Sequence, residues 1–134
     1  MIVVDTNIIA YRFIIGDKTD LACEVEQKDG DWIVPALWRS EFLNVLATSV
    51  RGRIVDIDEA RSLWRSAMHV LATRERVVLY EKALECAVGF SVSAYDAQYI
   101  TLARTLNVVC VTEDAKMIKT FPDSAMSMRS FLAS

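Results

Sequence analysis

The chain begins Met1-Ile2-Val3-Val4-Asp5-Thr6-Asn7, and this stretch decides the class of fold. Its apolar residues are continuous rather than alternating, which is typical of a parallel strand covered on both faces. Asp, Thr and Asn follow, and each of these residue types caps a helix well. The stretch therefore predicts a buried strand that ends at Asp5 and turns directly into a helix.

Strand and helix patterns alternate along the rest of the chain. Further strands are predicted at residues 32–34, 77–79 and 108–111, with a weak one near 126–128. Helices are predicted at residues 6–13, 19–28, 35–51, 56–71, 80–88, 93–106 and 115–119. Such alternation indicates an α/β protein with a parallel sheet and right-handed crossovers. The length of 134 residues fits one domain that spans residues 1–134.

The composition constrains partners and location. Hydrophobic residues make up 53% of the chain, more than one small core readily hides, which favours a homodimer. No apolar run approaches the roughly 18 residues of a membrane span, and the start lacks the basic residues of a secretion signal. We therefore expect a cytoplasmic protein with no membrane role. The net charge of −3 argues against binding nucleic acid by bulk charge.

Cysteine and histidine usage narrows the chemistry. The three cysteines, Cys23, Cys86 and Cys110, are widely spaced, which indicates reduced thiols rather than a disulfide framework or a zinc site. The single histidine, His69, lies within an apolar helical pattern, so a packing or surface role is favoured. Catalysis that depends on histidine is disfavoured.

Four acidic residues stand in apolar surroundings. Asp5 ends the first strand, and Asp114 follows the strand at 108–111, while Glu41 and Asp96 lie on or beside the apolar faces of helices. Asp5, Asp96 and Asp114 each have a simpler explanation as a helix cap or a partner of the helix dipole. Glu41 has no such explanation from the sequence, because Leu37 and Val45 flank it one turn away on each side.

Taken together, the four acids predict a metal site. Ionised carboxylates drawn out of water need a compensating charge. Parallel α/β sheets bind ligands beyond the carboxyl ends of their strands, where Asp5 and Asp114 lie. Carboxylates without histidine or thiolate favour Mg²⁺ or Mn²⁺, which can activate water against a phosphodiester. Thr6, Asn7 and Thr112 are placed to hydrogen-bond the ligands.

These residues resemble the PIN-domain ribonucleases, especially VapC-like toxins. The resemblance rests on Val3-Val4-Asp5-Thr6-Asn7, on Pro35 followed by Glu41 and Asn44, on Tyr95-Asp96-Ala97 with Tyr99 and Ala103, and on Val111-Thr112-Glu113-Asp114. It extends over almost the whole chain. It implies a three-layer sandwich whose five-stranded parallel sheet has the order 3-2-1-4-5, with helices on both faces.

The resemblance also implies a reaction and partners. The family's four acids match Asp5, Glu41, Asp96 and Asp114, with Thr112 at its hydroxyl position and Asn7 at its amide position. It implies an acidic pocket that holds Mg²⁺ or Mn²⁺ and the endonucleolytic hydrolysis of RNA to 5′-phosphate and 3′-hydroxyl ends. VapC-like proteins are usually dimers that a small antitoxin silences by blocking the pocket.

Contacts with RNA are expected from basic residues near the strand ends. The candidates are Arg12, Arg39, Lys116 and Lys119. The three tryptophans could stack on bases, but their strand and helix positions favour packing in a core or a dimer.

Other reaction classes fit less well. An aspartate-nucleophile phosphohydrolase needs a second Asp two residues after the first, where this chain has Asn7. A phospho-acceptor signalling domain needs a Lys after its last core strand, where Thr112-Glu113-Asp114 stands. A catalytically silent PIN-like scaffold that binds RNA or protein stays open as the alternative to an enzyme.

Overall fold

A computed structural model describes all 134 residues and has a parallel sheet of four strands at its centre. The strands are β1 (Ile2–Val4), β2 (Trp32–Ile33), β3 (Cys110–Val111) and β4 (Ala125–Met126). Their order across the sheet is β2-β1-β3-β4, and every neighbouring pair is parallel. The first strand therefore lies inside the sheet, as its continuous apolar sequence predicts.

Eight helices surround the sheet. They are α1 (Thr6–Phe13), α2 (Thr19–Lys28), α3 (Trp38–Arg51), α4 (Ile57–Leu71), α5 (Tyr80–Phe90), α6 (Ala94–Leu106), α7 (Ala115–Thr120) and α8 (Met128–Ala133). A short 3₁₀ turn at Ala72–Arg74 follows α4. None of these helices is both long enough and apolar enough to cross a membrane.

The two faces of the sheet carry separate cores. Ile2 and Val4 of β1 point to one face, where they pack with residues of α1, α2, α3, α4 and α8. Val3 points to the opposite face and packs with residues of α6 and α7. This alternation follows from the two-residue period of a strand. It confirms the predicted three layers with helices on both faces.

The predicted five-stranded sheet is not found, because residues 77–79 form no strand. Beyond β2 the structure has only an isolated parallel bridge between Val34 and Glu75. Val77 is 84% exposed, whereas Val78 is 3% exposed and packs beside α5 and α6. One buried side chain gives this short apolar run too little packing to hold it against the sheet. The four observed strands keep the 2-1-4-5 part of the predicted order.

Most helix boundaries follow from local sequence. Ser93 caps α6 through its side chain, and Asn107 ends that helix with a left-handed φ of 55°, in agreement with the helix predicted at residues 93–106. The helix predicted at residues 80–88 is too short, because α5 continues through Gly89 to Phe90 and exits at Ser91 with φ of 54°. No helix was predicted at α8, which begins at Met128, within the range expected to form the last strand.

The start of α3 also differs from the expectation. Pro35 was expected in the first turn of the helix, but the regular helix begins at Trp38. A tight turn precedes it, in which the amide of Trp38 donates to the carbonyl of Pro35 at 3.1 Å. The later start places Glu41 in the first turn of α3. Glu41 therefore lies at the positive end of a helix dipole, which gives it the structural role that the sequence did not reveal.

Candidate active site

The four acids each lie at the N-terminal end of a different helix. Asp5 caps α1 and Asp114 caps α7, while Glu41 and Asp96 lie in the first turns of α3 and α6. Asp5 follows β1 and Asp114 follows β3, and these strands are neighbours in the sheet. The next strand in sequence, β2, lies on one side of β1, and the strand after it, β3, lies on the other side. The acids thus gather at a topological switch point, where α/β proteins bind ligands.

Asp5 is the most enclosed of the four, with 8% of its surface exposed. Its Oδ1 accepts a hydrogen bond from the amide of Thr6 at 2.8 Å. Its Oδ2 accepts from Thr112 Oγ1 at 2.7 Å and from Asn7 Nδ2 at 3.3 Å. These donors hold the Asp5 carboxylate in a single orientation at the end of β1.

Burial and neighbouring negative charges raise the pKa of two of the acids, Asp5 and Asp96. Burial raises the pKa of Asp5 to about 6, hydrogen bonds from Thr112 and Thr6 oppose the increase, and the charges of Glu41 and Asp96 add to it. Burial likewise raises the pKa of Asp96, and the charges of Asp114 and Glu41 add to the increase. The other acids thus supply the negative charge that acts on Asp5 and Asp96.

Thr112 and Asn7 join the ends of β1 and β3. Thr112 is fully buried, and its Oγ1 accepts a hydrogen bond from the amide of Asp114 at 3.1 Å. Asn7 Nδ2 donates to the same hydroxyl oxygen at 3.3 Å, and Asn7 Oδ1 accepts from the amide of Glu113 at 3.4 Å. The network fixes the two strand ends, and hence Asp5 and Asp114, relative to each other.

Glu41 is held by two hydroxyl groups. Its Oε1 accepts hydrogen bonds from Thr6 Oγ1 at 2.9 Å and from the Tyr99 hydroxyl at 2.6 Å. Burial, followed by the charge of Glu41, raises the pKa of Tyr99 well above its usual value, so the hydroxyl keeps its proton and donates. Tyr99 was not among the predicted site residues, although it is one of the residues that carry the family resemblance. Its spacing three residues after Asp96, on the same helix face, was the available signal.

Asp96 and Asp114 are half-buried and take part in capping. The amide of Asp96 donates to Ser93 Oγ at 3.0 Å. Asp114 Oδ1 accepts from the amides of Lys116 and Met117 at 2.9 Å and 3.2 Å. Asp114 thus caps α7 and lies at the positive end of its dipole, as expected, whereas the Asp96 carboxylate does not complete a capping box with the amide of Ser93.

The donor set suits a hard divalent cation. None of the four acids forms an ion pair with a lysine or arginine, although one of them is buried. Glu41 Oε2 and Asp114 Oδ2 accept no hydrogen bond from the protein. No three acidic, histidine or cysteine side chains converge on one point. Mg²⁺ tolerates this spacing, because one or two carboxylates commonly hold it with water at its other positions.

A groove opens beside the acids. It encloses about 610 Å³ and shares Thr6 and Glu41 with the acidic cluster. The remaining lining residues are Asn7, Leu37, Ser40, Asn44, Val45 and Tyr95. This wall combines apolar and uncharged polar side chains, in contrast to the carboxylates next to it.

Two of the predicted RNA contacts are engaged within the protein. Arg12 Nε pairs with Glu26 Oε1 at 2.8 Å. Arg39 Nε pairs with Glu75 Oε1 at 2.5 Å, and its second nitrogen reaches the other oxygen of Glu75 at 3.2 Å. Both arginines would have to leave these carboxylates to bind phosphate.

The predicted lysines lie on α7. Lys116 lies in the first turn of α7, two residues after Asp114, and its charge opposes the increase in the pKa of Asp96. Lys119 lies in the last turn of α7, away from the helix end that carries Asp114. Lys18 was not among the predicted contacts, but its ammonium lies 3.9 Å from a carboxylate oxygen of Glu113, the residue before Asp114.

The fold and the site define an α/β protein with an acidic crevice at the carboxyl edge of a parallel sheet. Residues 2–121 match the family model of the PIN domain. The chain therefore belongs to the PIN domain family, whose members are generally nucleases. This confirms the family resemblance seen in the sequence. No curated protein matches the sequence.

Solved structures share the fold at low sequence identity. The crystal structure of PAE2754 from Pyrobaculum aerophilum aligns with a TM-score of 0.79 at 18% identity, covering 98% of this chain and 93% of that chain. The crystal structure of FitAcB from Neisseria gonorrhoeae aligns with a TM-score of 0.71 at 15% identity, covering 96% of this chain and 99% of that chain. At these identities the likeness establishes the fold alone.

Proposed function

We propose that the protein is an endoribonuclease that depends on Mg²⁺ or Mn²⁺. The observation that carries this proposal is the buried carboxylate of Asp5, which lies among other acids with no cationic side chain to neutralise it. A protein tolerates such an arrangement at a cost in stability, and a bound cation removes that cost.

Asp5, Glu41, Asp96 and Asp114 would hold the ion together, one or two of them directly and the others through water bound to it. When bound, a divalent cation activates water and neutralises the charge that develops on a phosphodiester during hydrolysis. The protein's own contribution is positional. Hydrogen bonds from Thr112 and Thr6 fix Asp5, and the Tyr99 hydroxyl fixes Glu41. Hydrolysis in this manner would leave 5′-phosphate and 3′-hydroxyl ends.

Cleavage of RNA by the purified protein tests this activity. We expect diverse single-stranded RNAs to be cut in Mn²⁺ or Mg²⁺ and left intact in EDTA, and we expect Asp5→Asn to abolish cutting. Asp58→Asn is the matched control, because Asp58 is highly exposed on α4 and pairs only with Arg61. Mn²⁺ should also raise the melting temperature of the parent protein and leave that of Asp5→Asn unchanged.

Two results would contradict the enzyme. One is intact RNA after incubation of inhibitor-free protein with Mn²⁺, and the other is equal cleavage by Asp5→Asn and the parent. RNA that is bound but never cut would favour the catalytically silent scaffold instead.

We also propose that the protein acts in the cytoplasm as a VapC-like toxin, forming a homodimer and binding a small antitoxin. Tyr80, Leu84 and Val88 support the dimer, because they form an exposed apolar stripe at four-residue spacing along α5. A groove of about 490 Å³ between α3 and α4, with an apolar floor that includes Leu46 and Trp64, is a second surface available to a protein partner.

Expression of the chain in a bacterial host tests toxicity. We expect growth to stop when the parent is expressed, to continue with Asp5→Asn, and to resume when a partner encoded by a neighbouring short gene is co-expressed. Unaffected growth with the active parent would overturn the toxin proposal and leave the nuclease proposal standing.

A further inference from the structure

Tyr95 is an exposed aromatic side chain at the edge of the acidic site. It lies in the first turn of α6, directly before Asp96, and 61% of its surface is exposed. Its ring packs against no other aromatic ring and no cation. The tryptophans differ from it, since Trp32 and Trp38 are buried and Trp64 stacks on Trp38. The ring of Tyr95 is thus an aromatic surface beside the site that is free to stack on a ligand.

The groove that Tyr95 lines has the properties of a base-binding pocket. Its volume of about 610 Å³ lies within the range of small-molecule sites. Leu37 and Val45 supply apolar walls, and Ser40 and Asn44 supply neutral hydrogen-bonding groups. An amide such as that of Asn44 offers both donors and an acceptor to the edge of a base.

Charge favours stacking over phosphate contact as the source of affinity. The chain carries a net charge of −3, and its acids cluster where the scissile phosphate would lie. Arg12 and Arg39 are already paired with glutamates. Stacking of a base on an aromatic ring does not depend on a positive surface, and every base has a face that can stack.

We infer that this groove binds a base of single-stranded RNA beside the cleavage site, with the base stacked on Tyr95 and its edge hydrogen-bonded by Asn44. The inference rests on the proposed ribonuclease function and names the part of the substrate that the site holds. A base must leave its duplex to present its face, so the pocket selects single-stranded segments. Because Thr6 and Glu41 line both the groove and the acidic cluster, the bound base lies next to the phosphate that is cut.

Binding of labelled RNA oligonucleotides tests the inference. Fluorescence anisotropy is measured in the non-cleaving Asp5→Asn background with single-stranded and fully duplex RNA of the same sequence. We expect Tyr95→Ala to weaken single-strand binding by roughly 5- to 100-fold. Tyr95→Phe keeps the ring and should bind within about twofold of the background protein. Duplex binding should be the same in all variants, and equal melting temperatures should show that the exposed substitution leaves the fold intact.

Cleavage kinetics provide a second readout. In the protein that retains Asp5, Tyr95→Ala should raise KM for single-stranded RNA more than it lowers kcat. Equal affinity of Tyr95→Ala and Tyr95→Phe for single-stranded RNA would overturn the inference. It would also be overturned if Tyr95→Ala lost the ability to bind a protein partner while its affinity for RNA stayed unchanged. If the protein cleaves RNA and Tyr95→Ala changes neither RNA affinity nor KM, the base pocket is refuted and the nuclease proposal stands. Tyr95-dependent binding without any cleavage refutes the nuclease alone, and a protein that does neither refutes both.

Discussion

The hydroxyl of Tyr99 donates a 2.6 Å hydrogen bond to Oε1 of Glu41, across 58 residues of sequence. Tyr99 is fully buried, so its ring cannot follow the carboxylate if the carboxylate turns away. Thr6 donates to the same oxygen at 2.9 Å. One carboxylate oxygen of Glu41 is therefore occupied by the protein, and the other is left for a ligand.

Removal of the Tyr99 hydroxyl should loosen Glu41. We expect Tyr99→Phe to lower the free energy of unfolding by about 1 kcal/mol, the usual worth of one hydrogen bond. We also expect it to reduce kcat for RNA cleavage roughly tenfold with a smaller change in KM, because positioning is lost rather than substrate contact. Urea unfolding and cleavage kinetics measure the two effects. Tyr11→Phe is the matched control, since the Tyr11 hydroxyl makes no hydrogen bond. Unchanged kcat in Tyr99→Phe would contradict the positioning role.

Stability without metal should depend on the ionisation of Asp5. Its pKa is about 6 in the folded protein against an ordinary value of 3.8, so the folded state binds the proton more tightly than the unfolded state. The contribution of Asp5 to the free energy of unfolding therefore becomes less favourable as the pH rises from about 4 to 6 and is constant above that. The total loss of stability from this group is at most about 3 kcal/mol. Asp5→Asn removes this dependence.

We expect Asp5→Asn to gain stability relative to the parent as the pH increases from 4.5 to 7.5. Urea unfolding of both proteins in EDTA at the two pH values measures the difference. Carboxyl groups remote from Asp5 titrate alike in both proteins and so cancel, and Asp58→Asn shows the effect of removing an exposed acid. A stability difference that does not change with pH would mean that burial of Asp5 carries no penalty.

The apolar stripe on α5 should hold two copies of the chain together. We expect the parent to have twice the 15.1 kDa mass of one chain in sedimentation or light scattering. Leu84→Glu should give the single-chain mass, because a buried charge at a dimer interface is unfavourable. Lys82→Glu is the control, since it changes charge on the same helix but away from the stripe. A parent of single-chain mass, or a dimer that survives Leu84→Glu, contradicts this interface.

The salt dependence of RNA binding should distinguish basic residues that are free to contact phosphate from those that are paired with an acid of the protein. Lys116 forms no ion pair, whereas Arg39 is bound to Glu75. We expect Lys116→Gln to reduce the slope of log affinity for single-stranded RNA against log salt by about 0.7, the contribution of one phosphate contact. Arg39→Gln should leave the slope unchanged. An equal loss of slope in Arg39→Gln would show that its ion pair opens when RNA binds.

The parts of the fold that were predictable depend on adjacent residues. The buried β1 followed from its continuous β-branched run, and the ends of α6 followed from Ser93 and Asn107. The absence of a strand at residues 77–79 could not be predicted, because the sequence of this segment does not indicate whether it lies close enough to β2 to pair with it. The six-residue α8 is too short to produce a clear helical period.

The same division holds for the candidate site. The acids could be selected from the sequence because a carboxylate in an apolar run is conspicuous by itself. The spacing of Tyr99 after Asp96 was a weak signal, but its hydrogen bond to Glu41 could not be predicted, since Glu41 is distant in sequence and the position of Tyr99 looks like ordinary core. Arg39 was predicted to contact RNA, but it forms an ion pair with Glu75. The sequence does not show that these two residues are close together.

The central position of β1 has a consequence for the timing of synthesis. Asp5 is made well before its hydrogen-bond partner Thr112, which lies 107 residues later. Both neighbours of β1 in the sheet are also made after it. A growing polypeptide on the ribosome therefore carries no complete acid cluster until Asp114 has emerged. Asp5 therefore has no Thr112 partner while the whole intervening segment is being made.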